Sequence, residues 1–167
     1  MSIQIIREMH AKQVSGTYIA LLRVTLGGAF LTTWASNVIK GAFTPTGYVG
    51  TINFFLNDPE HVATPLDMIV RNFVIPNAVF MAPGWLLLEL FISVTVLFGV
   101  FTRPGALVGA IVSTILLFTT LGVDWLWTYV LMIVGFAICA LVGAGQWYGI
   151  DYWLKDRLPA KFVKFLV

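Results

Sequence analysis

Two ionisable side chains stand inside long apolar runs: Arg23 within residues 17–36 and Glu89 within residues 79–101. A charge there is costly, so it points to pairing, ligand contact or proton handling. Helical rise puts Arg23 roughly 9 Å into its run, and Glu89 about 18 Å from the same end of the bundle. Arg23 and Glu89 are therefore the candidate catalytic residues, as a polar pair. One reading is an inert clamp that joins the first and second runs. The other makes Glu89 a proton-handling carboxylate beside a quinone pocket. Helical side chains lean toward their own N-terminus, and these runs are antiparallel, so the two residues lean apart. They meet directly or through a water or a polar side chain.

Other chemistry is bounded by what surrounds each residue. His10 and His61 fall outside the apolar runs, which leaves no axial ligand for a haem in the bilayer. His61 stands near Asp58, Glu60 and Asp67, but with no ligand-set spacing the group reads as a solvated acidic loop, and no metal is expected. No glycine-rich phosphate loop follows a strand, so nucleotide and flavin binding lack a motif. The single cysteine, Cys139, excludes an internal disulfide. Its apolar neighbours make it a small packing residue rather than a reactive thiol. No covalently bound cofactor is expected, and a quinone is the group that a few polar side chains in an apolar wall would suit. Trp34, Trp85, Trp125, Trp127 and Trp147 lie near the ends of runs and read as an aromatic belt.

The elements that must position these residues follow from composition. Charged residues are 11 % of the chain and hydrophobic ones 59 %, against about 25 % charged in a typical soluble domain. That excludes an ordinary cytosolic domain and a disordered chain. The scattered net charge of +2 excludes a nucleic-acid binder. Four apolar runs, 17–36, 79–101, 104–123 and 127–147, each approach the roughly 20 residues of a membrane-spanning helix. The expected fold is an all-α integral membrane protein, a four-transmembrane-helix bundle forming one domain over 1–167. The runs are continuous rather than alternating, which excludes a β-barrel. The first is too long for a cleaved leader and contains Arg23. Arg7, Lys12, Arg103, Lys155, Arg157, Lys161 and Lys164 fall on one side of such a bundle, and Lys40 and Arg71 on the other. The positive-inside rule then places both termini in the cytoplasm of a multi-pass protein of the cell membrane.

The long connection 37–78 lies on the outer side and carries helix signals. Thr64-Pro65 with Asp67 is a cap followed by Pro and an acid in the first turn. Leu66, Ile69, Val70 and Phe73 then form one apolar stripe, ended by Pro76. Thr44-Pro45 opens a similar stretch with Tyr48, Ile52, Phe55 and Leu56 on one side. Two short amphipathic helices are expected there, lying in the headgroup region or forming a lid or docking platform. The termini are expected to be amphipathic too: Ile3, Ile6, Met9 and Gln13 at one end, and Trp153, Leu154, Leu158, Phe162, Phe165 and Leu166 among basic residues at the other. The basic end would attract anionic lipid. Gly105, Gly109 and Ser113 on the third run, and Gly135, Cys139 and Gly143 on the fourth, form two small-residue stripes expected to face each other.

Several of these residues together resemble the DoxX/DoxD family: Arg23 with Gly27 and Phe30; Glu89; Leu97-Phe98-Gly99-Val100-Phe101-Thr102-Arg103-Pro104-Gly105-Ala106-Leu107; and Gly143-Ala144-Gly145-Gln146-Trp147-Tyr148-Gly149-Ile150-Asp151. The resemblance touches all four runs, and the long outer loop is more like the DoxD branch. After the first run, the family's His-Gly…Lys gives way to Trp34 and a later Lys40. The resemblance implies the small membrane subunit of a thiosulfate:quinone oxidoreductase, with Arg23, Glu89 and Arg103 at motif positions. It also implies a partner subunit through which the anion, thiosulfate, is handled. The rival expectation is a non-catalytic accessory subunit of a larger respiratory or photosynthetic membrane complex. A small transporter is a third reading, without the inverted repeat or broken helix pair such folds use.

Overall fold

The computed structural model describes residues 16–159 and 162–163. These form an all-α structure of seven α-helices: α1 Gly16–Ile39, α2 Pro45–Leu56, α3 Pro65–Ile69, α4 Ala78–Phe98, α5 Thr102–Thr119, α6 Leu126–Val142 and α7 Asp151–Leu154. Three helices, α1, α4 and α5, are long and apolar enough to cross a membrane, and α6 is a shorter apolar helix of 17 residues. The expected helices at 3–13 and the end of the basic C-terminal stretch lie outside the described residues, as does His10.

The helix ends differ from the expected runs for local reasons. The second run stops at Phe98 because Gly99 takes the left-handed conformation, at φ +67°, which closes a helix at little cost in glycine. The fourth stops at Val142, short of residue 147, where Gly143 does the same. At 1.5 Å per residue α6 is about 26 Å long. Conversely, α1 continues to Ile39, past the expected end at 36.

Helices α1 and α4 pack as one extensive pair and α5 and α6 as another, with α4 on α5 and α1 on α6 closing the bundle. Phe30 of α1 meets Phe136 of α6 edge to face, ring centres 5.2 Å apart, at the heart of a core with Ile92, Val96 and Val112. Helices α5 and α6 do pack together, but Gly105, Gly109 and Gly135 do not meet small residues of the other stripe. A Cβ on Gly105 would strike the Thr95 side chain of α4, one on Gly109 the Phe136 ring, and one on Gly135 the Leu26 side chain of α1. Each glycine receives a larger side chain of a neighbour, because close packing matches a gap with a bulk rather than with another gap. Cys139 is fully buried, as a packing residue would be.

The bundle keeps its few charged and hydroxyl groups inside, beside the apolar core, and is apolar without. Arg23, Glu89, Ser93 and Ser113 are buried, whereas Leu21 is 63 % exposed, Leu131 70 % and Leu141 80 %. An apolar exterior of this kind suits a lipid bilayer. Trp125 and Trp127 are exposed at the start of α6, but Trp34 and Trp85 turn inward and donate hydrogen bonds, to the Leu86 carbonyl and to Glu89. Those two are not belt residues.

Both outer helices form where their caps place them. Thr44 Oγ1 accepts from the Gly47 amide at 3.1 Å and Pro45 opens α2. The Asp67 carboxylate accepts from the Thr64 amide at 3.1 Å and from its hydroxyl at 2.9 Å, and Pro65 opens α3. The inward face of α2 is the expected one, but that of α3 is not. It runs on as a π turn, Val70–Val74, in which the Ile75 amide donates to the Val70 carbonyl. The extra residue per turn rotates the residues within and after it, Phe73 among them. Val70 is buried, and Ile69 and Phe73 are 55 % and 56 % exposed.

Candidate functional site

Arg23 is 2 % exposed and Glu89 5 %, yet they do not pair. Arg23 Nη1 donates to the carbonyls of Val96 at 2.8 Å and Leu97 at 2.6 Å, and Nη2 reaches the Tyr148 carbonyl at 3.5 Å. Val96 and Leu97 stand seven and eight positions beyond Glu89 on α4, about 10 Å along the axis. The antiparallel register of α1 against α4 thus separates the two charges, and the expected polar pair is replaced by two distinct sites.

The inner site is a helix-end assembly. The terminal carbonyls of α4 all have partners: Thr95 accepts from Val100, Val96 and Leu97 from Arg23, and Phe98 from the Ile150 amide. A cation at a helix C-terminus also opposes its dipole. Asp151 does the reverse for α5. Its carboxylate, fully buried, accepts from the amides of Phe101 at 2.7 Å and Thr102 at 2.9 Å. Gly145 lies so close that a Cβ there would overlap both Asp151 Oδ2 and Thr102 Oγ1, and one on Gly99 would press on Arg23. Phe101 and Tyr148 pay for this closure with left-handed backbones at φ +48° and +56°. The Gly99–Gly105 and Gly143–Asp151 stretches therefore form one structural unit, with Arg23 at its centre. Arg103 lies beside it at the start of α5.

The outer site is a cavity of about 350 Å³ beneath α2 and the π turn, between the outer halves of α1, α4, α5 and α6. Glu89 lies in its wall. Its Oε1 accepts from Trp85 Nε1 at 2.7 Å and its Oε2 from Asn37 Nδ2 at 3.5 Å. Tyr48 of α2 lines the same wall, its ring centre 6.4 Å from that of Trp85. Burial first, and then the negative charge of Glu89, push the Tyr48 phenol up to about 12, so it stays a neutral hydrogen-bonding group at ordinary pH. Tyr129 of α6, with Thr119 at the end of α5 and Thr120 just beyond it, gives a second polar edge, and the rest of the wall is largely aliphatic and aromatic. Among the described residues no Lys, Arg or His lines this cavity. The arrangement suits an uncharged ring with polar substituents.

Sequence reasoning singled out Glu89 but missed Asn37 and Tyr129, and took Tyr48 only as part of an apolar face. The four-residue spacing of Trp85 and Glu89 was a legible signal, since such side chains meet on a helix. His61 stands apart from both sites. Its Nε2 lies 2.9 Å from Asp67 Oδ2. Burial alone would raise the Asp67 carboxyl, but hydrogen bonds from His61 and Thr64 outweigh it and hold the group below the usual value. Among the described residues no group of three or more His, Cys, Asp or Glu side chains is placed to hold a metal ion.

No family model, curated protein or solved structure matches the chain.

Proposed function

We propose that the chain is a four-span subunit of the cell membrane, with both termini cytoplasmic, that binds a quinone in the cavity at Glu89 and serves quinone-linked electron transfer, from thiosulfate in the reading the DoxD-like residues suggest. The observation that carries this is a carboxylate held by neutral donors in the wall of an apolar cavity large enough for one ring. A quinone needs donors for its oxygens and a group that exchanges protons as it is reduced. Tyr48 and Asn37 are suitable donors, and Glu89 is the proton-exchanging group. With no basic side chain among the described residues of the wall, thiosulfate is met by a partner subunit, which also supplies the electrons. The apolar exterior contacts lipid and neighbouring subunits.

The test is thiosulfate-dependent quinone reduction by the purified complex with Glu89→Gln. Loss of a proton-transfer group costs on the order of 100-fold in turnover. Unchanged turnover removes Glu89 from the mechanism. It then favours the accessory-subunit reading, for which the structural use of Arg23 and Asp151 already speaks.

A further inference from the structure

The cavity has a second polar edge besides that of Glu89. Tyr129 of α6 lines the cavity together with Glu89 of α4. The Tyr129 hydroxyl donates to Asp124 Oδ2 at 2.7 Å. Asp124 is itself held, because its Oδ1 accepts from the Trp125 amide at 2.7 Å and its own amide donates to the Thr120 carbonyl at 3.0 Å. A phenol has one proton to donate and lone pairs to accept with. Thr120 also hydrogen-bonds to this phenol. With the proton directed to the Asp124 carboxylate, what Tyr129 can still offer a ligand is the remaining lone pair of its oxygen, as an acceptor.

From this we infer, on the reading that the cavity takes a quinone, that Tyr129 is a specificity-determining residue that favours the reduced form. A quinol carries a hydroxyl at each end of its ring. One meets the Glu89 edge and the other donates to the Tyr129 oxygen. A quinone has only carbonyl oxygens, and at Tyr129 it competes with Asp124 for the single phenolic proton. The Asp124–Tyr129 couple thus distinguishes the two redox states of one ligand, a task that apolar walls alone do not perform.

The experiment measures binding of decylubiquinol and decylubiquinone to the full chain in nanodiscs, by quenching of tryptophan fluorescence, for wild type, Tyr129→Phe, Asp124→Asn and Glu89→Gln. Loss of one hydrogen bond corresponds to roughly 3- to 10-fold in affinity. The expected result is that Tyr129→Phe weakens quinol binding by that factor and leaves quinone binding within about twofold. Equal weakening of both forms, or of neither, overturns the inference, since a purely structural role for Tyr129 moves both together. Should Tyr129→Phe fail to fold, Asp124→Asn keeps the ring. It is expected to narrow the preference for quinol, and an unchanged preference overturns the inference. If wild type binds neither form, or binds both independently of Glu89, the quinone reading itself fails. If binding depends on Glu89 but not on Tyr129, that reading stands and this one falls.

Discussion

The indole Nε1–H of Trp85 donates to Glu89 Oε1 at 2.7 Å, one turn back along α4. The 3.5 Å contact from Asn37 is the longer of the two that hold the carboxylate. Trp85→Phe keeps most of the packing and removes the short bond, leaving a buried acceptor poorly served. Unfolding of the protein in detergent is expected to show a loss of about 1–3 kcal/mol. A cycle with Glu89→Gln is expected to show coupling above about 0.5 kcal/mol, because the two share a bond.

Arg23 and Glu89 should behave independently, because they share no partner. Arg23→Ala strips two short charge-assisted bonds from the end of α4 and is expected to cost at least about 3 kcal/mol. Arg23→Lys keeps the charge without the planar fork and is expected to fall between. Combining Arg23→Lys with Glu89→Gln is expected to be additive within about 0.5 kcal/mol in the same unfolding measurement. Strong coupling would contradict the separation of the two sites.

Asp151 closes the start of α5 from across the inner end of the bundle. Asp151→Ala leaves one buried and one part-buried amide without their acceptor and is expected to cost about 2 kcal/mol, the upper range for a lost helix cap. Gly145→Ala pushes on the same carboxylate and on Thr102. It is expected to be destabilising in thermal unfolding, and less so when Asp151 is already alanine.

Tyr48 gives a pH dependence whose sign follows from its surroundings. Its phenol is raised from 10.0 to about 12 in the folded chain. Below pH 10 both states hold the proton and nothing is gained or lost. Between about 10 and 12 the unfolded chain releases it while the folded chain keeps it, so stability falls as pH rises through that window. Titration of phenolate absorbance is expected to show a late-ionising tyrosine that Tyr48→Phe removes. A Tyr48 that ionises near 10 would mean that α2 does not bury it.

Much of the architecture was legible because it rests on local chemistry. Thr44-Pro45 and Thr64-Pro65 open helices through caps formed within a few residues, and the apolar runs mark the long helices by composition alone. The π turn at Val70–Val74 was not legible, since one additional residue in a turn leaves no compositional trace, and it takes Phe73, which lies within it, off the expected stripe. The cavity was half legible: Glu89 stood out as a charge in an apolar run, while Asn37, Tyr48 and Tyr129 look unremarkable until six elements converge on it.

By itself the sequence determined the all-α class, the apolar helices suited to a bilayer, and the two charges that had to be accounted for inside them. These follow from transfer energies and local backbone preferences, which act residue by residue. Only the tertiary structure decided what those charges do. The register of α1 against α4 set Arg23 opposite Val96 and Leu97 and left Glu89 in an outer cavity. Register depends on how whole helix faces interlock, as where Leu97 packs into the space that Gly27 leaves open. Two residues on different helices carry no information about it on their own.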